Sequence, residues 1–161
     1  MVMDQFTRRI VGFAVRAGDV DGVALCRMFN KAISTMDTLT YLSSDYDPLF
    51  QHHQWQANLG ILDIDEVKSV PYTPRSHPFV ARLIGTIRRE FLDQTLFWNA
   101  VDLGRKLDIF KDYYNRSRTH ASLDGNTPAE ISGDRVTQPA PLHSYACQKH
   151  CGGLFQLPVA A

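Results

Sequence analysis

The chain has 161 residues, 44% of them apolar, and its 17 basic and 17 acidic side chains cancel. That length supports one domain with a real core and leaves no room for two comfortable ones. No apolar run approaches the ~18 residues of a membrane span, no secretory pattern opens the chain, and three cysteines make no disulfide framework, so a cytoplasmic protein without a membrane partner is expected.

In chain order, Met1 to Asp4 and Ile10 to Val15 are short apolar runs joined by a polar turn and read as a β-hairpin. Asp19 to Ile33 has helical spacing, with Leu25, Met28, Phe29 and Ala32 on one face and Asp19 or Asp21 as N-cap. Leu39 to Ser43 reads as a buried strand. Asp47-Pro48 opens a helix, an N-cap acid followed by proline in the first turn, which runs from Phe50 to Asn58 and ends at Gly60. Ile61 to Val70 supplies another strand. Prolines 71, 74 and 78 make an extended connector. Helix resumes at Pro78, with Val80, Leu83, Ile84, Ile87 and Phe91 spaced to face the core. Asn99 to Tyr114 is a second long helix with Leu103, Leu107, Phe110 and Tyr114 inward. Thr127-Pro128-Ala129-Glu130 is a capping box opening a last short helix, and from Gln138 onward prolines, glycines and polar residues read as irregular.

Charge is unevenly distributed. Residues 1–74 hold nine acids and six bases, whereas residues 75–118 hold nine bases and five acids. The basic stretch reads either as a nucleic-acid face or as two solvated helices of mixed charge.

Three segments carry a resemblance. Leu42-Ser43-Ser44-Asp45 ends an apolar run with an acid, and 35 residues separate Asp45 from position 81. The connector Ser69-Val70-Pro71-Tyr72-Thr73-Pro74-Arg75-Ser76-His77-Pro78 leads into that helix, and Tyr113-Tyr114-Asn115-Arg116-Ser117-Arg118-Thr119-His120 precedes Thr127-Pro128. This arrangement resembles the integrase core of bacterial insertion-sequence transposases and retroviral integrases. The resemblance implies an α/β, ribonuclease H-like fold and DNA transposition or integration as the activity. It also implies an Asp, Asp, Glu triad (the DDE motif) holding two Mg²⁺ or Mn²⁺ ions. It makes Asp45 the second Asp and aligns Ala81 with the Glu; the first Asp would fall before Met1. The expected fold therefore lacks its first, central strand, which would lie between the strands at Met1–Asp4 and Leu39–Ser43. Residues 1–134 form the core-like domain, incomplete at its N-terminus, and 135–161 an irregular tail.

Two-metal phosphoryl transfer needs several carboxylate oxygens around ions about 3.5–4 Å apart. Asp45 alone cannot supply them, and alanine offers no ligand atom, so the chain is expected to be inactive with weak or absent metal binding. From residue pattern alone Asp45 reads as turn-forming. Glu90 lies half a turn round from position 81 and about 13 Å along the helix, Asp4 reads as part of the hairpin turn, and Asp63, Asp65 and Glu66 read as solvated. Lys68, Arg75, His77, Arg82 and Arg118 are the expected DNA phosphate contacts, each readable also as an exposed charge or local cap, and His120 as a structural hydrogen-bonding group. His143, Cys147, His150 and Cys151 offer zinc-type ligands, but in a spacing that matches no common module. The partners implied are DNA and either further copies of the chain or an intact transposase. The alternative reading is a non-catalytic DNA-binding or transposase-partner remnant.

Overall fold

The computed structural model describes residues 1–36, 38–45, 47–68, 78–133 and 145–160. Its first element is a hairpin of β1 (Val2–Met3) and β2 (Ile10–Gly12), antiparallel with a bulge after Val2. Asp4 gathers the turn: its carboxylate accepts from the Phe6 N–H at 2.9 Å and the Thr7 hydroxyl at 2.5 Å, while its own N–H donates to the Arg9 carbonyl at 2.8 Å. Burial pushes this carboxyl up, but the Thr7 hydroxyl, the two turn N–H groups and Arg8 outweigh it and hold the pKa below the usual value. The turn-forming reading of Asp4 stands.

Strand β2 stops early because the helix α1 (Gly22–Ile33) ends directly on it. A Cβ at Gly12 would lie 2.2 Å from the Ala32 carbonyl oxygen, so only glycine fits that crossing. Asp21 caps α1, accepting from the Ala24 N–H at 2.7 Å.

Strands β3 (Tyr41–Ser44) and β4 (Asp65–Lys68) pair in parallel. Between them a 3₁₀ turn, Pro48–Gln51, precedes α2 (His53–Ile61). Asp47 caps that turn, its carboxylate accepting from the Leu49 N–H at 2.8 Å. Gly60 sits inside α2 instead of ending it. α3 (Pro78–Glu90), α4 (Ala100–Arg116) and the short α5 (Pro128–Ile131) follow. Asn99 caps α4, and the capping box at α5 is complete: Glu130 N–H to Thr127 Oγ1 at 3.2 Å, Thr127 N–H to Glu130 Oε2 at 2.7 Å.

The apolar periodicity of the two long helices builds the main core. Leu83 and Ile87 of α3, with Phe91 just past its end, meet Leu107, Phe110 and Tyr114 of α4 and Ile10 of the hairpin. Ile84, expected inward, is instead 54% exposed on the flank of that stripe. A second cluster, Phe29, Trp55, Leu59 and Ile64, joins α1 to α2 and to the residue leading into β4.

The irregular tail is corrected. β5 (Tyr145–His150) and β6 (Phe155–Ala160) form an antiparallel hairpin, and Phe155 stacks on Tyr113 of α4 with ring centroids 4.2 Å apart and planes 5° from parallel. Its turn uses left-handed backbone at Cys151, Gly152 and Gly153. Glycines read as marks of an irregular tail are the ones this reversal requires. The connector over residues 71–77 lies outside the described residues.

Among the described residues the strands form three separate two-stranded sheets. Neither β1 nor β3 pairs with the other. They flank a groove of ≈ 570 Å³ to which both contribute side chains.

Candidate nucleic-acid interface

Parallel pairing of β3 and β4 brings their carboxyl ends to the same edge, with Ser44 opposite Lys68. In open α/β architectures that edge is where ligands bind. The first turn of α3 arrives at the same place, since Val80 lines one groove together with Ser43 and Val67. Asp45, Lys68 and Ala81 each lie within two residues of that trio.

The hairpin helps hold α3 there. Arg8, in left-handed backbone at φ 63°, places its guanidinium 3.3 Å above the Phe79 ring. Nothing in the sequence singled out this contact.

Asp45 is exposed just past the end of β3, and its carboxylate accepts from the Asp47 N–H at 3.3 Å. It therefore has a local turn role, the one expected from residue pattern alone. Ala81 is exposed on α3. Among the described residues no three His, Cys, Asp or Glu side chains converge as cation ligands. Of the two aligned positions, Asp45 offers one turn-bound carboxylate and Ala81 only a methyl group, whereas a two-metal centre draws on several carboxylates. Of the zinc-type ligands, His143 lies outside the described residues, Cys147 is exposed, and burial pushes the Cys151 thiol up to about 11.

Glu66 corrects the sequence reading most sharply. Its side chain is 6% exposed, not solvated. Oε1 accepts from the Ser44 hydroxyl at 2.6 Å and the Trp55 indole N–H at 2.9 Å; Oε2 accepts from Gln56 Nε2 at 2.6 Å. Lys68 stands 3.7 Å away. Burial raises this carboxyl, but the Ser44, Gln56 and Trp55 hydrogen bonds, with Lys68 behind them, outweigh it and the pKa falls below the ordinary value. One side chain thus ties β3, β4 and α2 together behind the edge.

The expected phosphate contacts separate into three groups. Lys68 and Arg82 are exposed at the edge. Arg75 and His77 lie outside the described residues. Arg118 has another job: its guanidinium grips Glu90 through two bonds, Nε to Oε2 at 2.9 Å and Nη2 to Oε1 at 2.7 Å. Its Nη1 also lies 3.2 Å from His120 Nδ1. The Glu90 bond raises the Arg118 pKa against the opposing effect of burial. This fork joins the C-terminal end of α3 to the segment after α4, so Arg118 acts as an internal tie.

His120 is 9% exposed, set edge-on to the Tyr114 ring at 4.7 Å. Burial, then the neighbouring Arg118 charge, lowers its pKa, although the Tyr114 backbone opposes this. The imidazole is therefore neutral at pH 7, and Nδ1 accepts from Arg118. This is the structural hydrogen bond expected of it.

The remaining cations of α3 face outward. Arg82, Arg88 and Arg89 are exposed, and the helix carries no acid before Glu90, which Arg118 neutralises. Such an unopposed basic face suits a phosphate backbone.

Residues 62–128, less than half of the chain, match the family described as Integrase core domain. The matched span runs from just before β4 into α5 and contains Ala81 but not Asp45. No curated protein matches the sequence. Among solved structures, a chain of the simian T-cell lymphotropic virus intasome in complex with PP2A regulatory subunit B56 gamma superposes with a TM-score of 0.61 at 16% identity, covering 78% of this chain and 45% of that one. The catalytic core domain of BIV integrase superposes with a TM-score of 0.55 at 22% identity, over 71% of this chain and 72% of that one. The fold is that of a ribonuclease H-like integrase core. This chain spans under half the length of the intasome chain it matches.

Proposed function

We propose that this chain is an integrase-core-like protein of DNA transposition, descended from a bacterial insertion-sequence transposase, that contacts DNA without itself performing strand transfer. The observation that supports it most is position 81. The resemblance calls there for a glutamate from the helix crossing the strand ends, and the residue is an exposed alanine in the first turn of α3. Asp45 then marks the second Asp of an Asp, Asp, Glu site that lacks its Glu at position 81, and binding of Mg²⁺ or Mn²⁺ is weak or absent. DNA phosphates are met by Lys68 and Arg82, with Arg75 and His77 from the connector and Arg88 and Arg89 further along α3. Arg118 is left out of this set because Glu90 already holds it.

Incubation of the purified protein with a labelled duplex and Mg²⁺ or Mn²⁺ tests the reading. No nicked or joined product is expected, together with binding that weakens steeply with salt. A Mn²⁺-dependent nick or joined end overturns the catalytic half, and salt-independent or absent binding overturns the DNA half.

A second reading, a partner of an intact transposase or of further copies of this chain, is favoured by the apolar surface ahead of α4. Leu96, Trp98 and Val101 are 84%, 87% and 64% exposed, a cluster of a kind that marks protein contacts.

A further inference from the structure

Glycine is a poorer helix former than alanine, because its backbone loses more freedom on folding. Gly60 in α2, Gly85 in α3 and Gly104 in α4 nevertheless stand inside helices. A Cβ added at Gly60 or Gly104 would meet nothing within 4 Å. At Gly85 it would meet the Arg89 guanidinium, with Nη1 at 3.1 Å, Nη2 at 3.7 Å and Cζ at 3.8 Å. Arg89 lies one turn further along, and helical side chains lean toward the N-terminus. Its side chain therefore folds back and rests on the bare backbone of Gly85. A single methyl group there would push the guanidinium outward by a few tenths of an ångström.

This posture carries a charge up the helix. An arginine in a last turn commonly serves the free carbonyls at that end. Here Gln94 Nε2 donates to the Arg89 carbonyl at 3.2 Å instead, and the adjoining Glu90 is held by Arg118. Among the described residues the Arg89 guanidinium has neither an acidic nor a hydrogen-bonding partner. It lies one turn back from the C-terminal end of α3, on the side of the β3 and β4 strand ends. Ala81 follows one turn beyond Gly85, with about 6 Å between the two positions, and brings no charge against it.

We propose that Gly85 is a positioning residue for DNA: it keeps open the space in which Arg89 lies back along α3, and the guanidinium so placed takes a phosphate beside the strand-end edge. The proposal deepens the DNA reading and rests on it. Gly85 touches no phosphate itself. Its contribution is to hold the guanidinium, before DNA arrives, near the place where it binds, so that less side-chain freedom is lost on association. The missing Cβ also lets a phosphate come close to the helix between Arg82 and Arg89.

A double-mutant cycle on the full chain tests this, with anisotropy titration of a labelled duplex at several salt concentrations and a thermal melt of each variant. Arg89→Ala is expected to weaken binding about tenfold at low salt and to lower the salt slope by about 1. Gly85→Ala is expected to raise Tm by about 2–4 °C yet weaken binding about threefold, the lower end for residues in contact. In the Arg89→Ala background the same glycine replacement should raise Tm as before and leave affinity unchanged. Gly104→Ala, with nothing over it, should raise Tm similarly without loss of affinity. A more stable protein that binds less well is a combination that a merely structural glycine would not give. Unchanged binding in Gly85→Ala, or an equal loss with and without Arg89, overturns the proposal and leaves the DNA reading standing. Absence of salt-dependent binding by the unaltered chain overturns both.

Discussion

Replacing Glu66 tests how the strand edge is built. In Glu66→Ala two donors lose their acceptor inside the protein, the Ser44 hydroxyl and the Trp55 indole N–H, on residues that are 5% and 1% exposed. Each unsatisfied buried donor costs about 1–3 kcal/mol, so the variant should be about 2–6 kcal/mol less stable. The third donor, Gln56, is exposed and reaches water, and adds nothing to the estimate. Glu66→Gln keeps an oxygen for Ser44 and Trp55, and should cost about 1 kcal/mol. Urea unfolding followed by fluorescence measures both. A Trp98→Phe background, which removes an indole 87% exposed, leaves the buried Trp55 as reporter. The pH dependence provides a second readout. Because the folded pKa is depressed, the carboxylate's contribution is complete above the ordinary value of 4.5 and is lost as pH falls through the folded value. Glu66→Gln should lack that acid loss. An alanine variant within about 0.5 kcal/mol of its parent, the range of a neutral surface substitution, would refute the account.

Asn115→Ala should strip both buried groups of Ile10 of their partners and cost about 2–4 kcal/mol in the same assay. Arg118 and Arg82 should behave oppositely. Arg118→Ala, losing a two-bond ion pair that is partly exposed, should destabilise by about 1–2 kcal/mol and change the salt slope of DNA binding by less than a phosphate contact would. Arg82→Ala should leave stability unchanged and reduce that slope by about 1, as for one phosphate contact; thermal melts and anisotropy titrations at several salt concentrations separate the two. His120, with its pKa lowered, binds a proton in the unfolded chain before the folded one, so stability should fall as pH drops below 6.5, and His120→Asn should flatten that part of the profile.

What the sequence disclosed depended on whether its signal was local. Helix caps at Asp21, Asp47 and Thr127 sit within three residues of the groups they serve, and the stripe of Leu83, Ile87 and Phe91 repeats with the helical period. Such features are legible because cause and effect share one stretch of chain. Ile84 was misplaced because periodicity defines the centre of a stripe better than its margins. The last hairpin was missed because Gly152 and Gly153 were read as breakers, when glycines between two short alternating runs also mark a reversal. Glu66, Asn115 and Arg8 had no local signature. Asn115 bonds a residue 105 positions away, and Glu66 looked like one more acid in a cluster until the fold closed Ser44, Trp55 and Gln56 around it.

The same distinction bears on the site. A spacing of 35 residues can align position 81 with a catalytic acid, but it cannot say which charges the fold will consume internally. Arg118 and Glu90 sit 28 residues apart and neutralise each other. That pairing withdraws one cation from the expected DNA set, and it also removes the only acid of α3 from competition with Arg82, Arg88 and Arg89. An arginine that touches no phosphate can therefore still raise the positive potential of the face proposed to meet DNA. In Arg118→Ala the released Glu90 charge would act on the adjoining Arg88 and Arg89 and, about two helical turns away, on Arg82, and salt screens it. Any loss of DNA affinity in that variant should accordingly fade as ionic strength rises, whereas the loss from Arg82→Ala should include a direct contact.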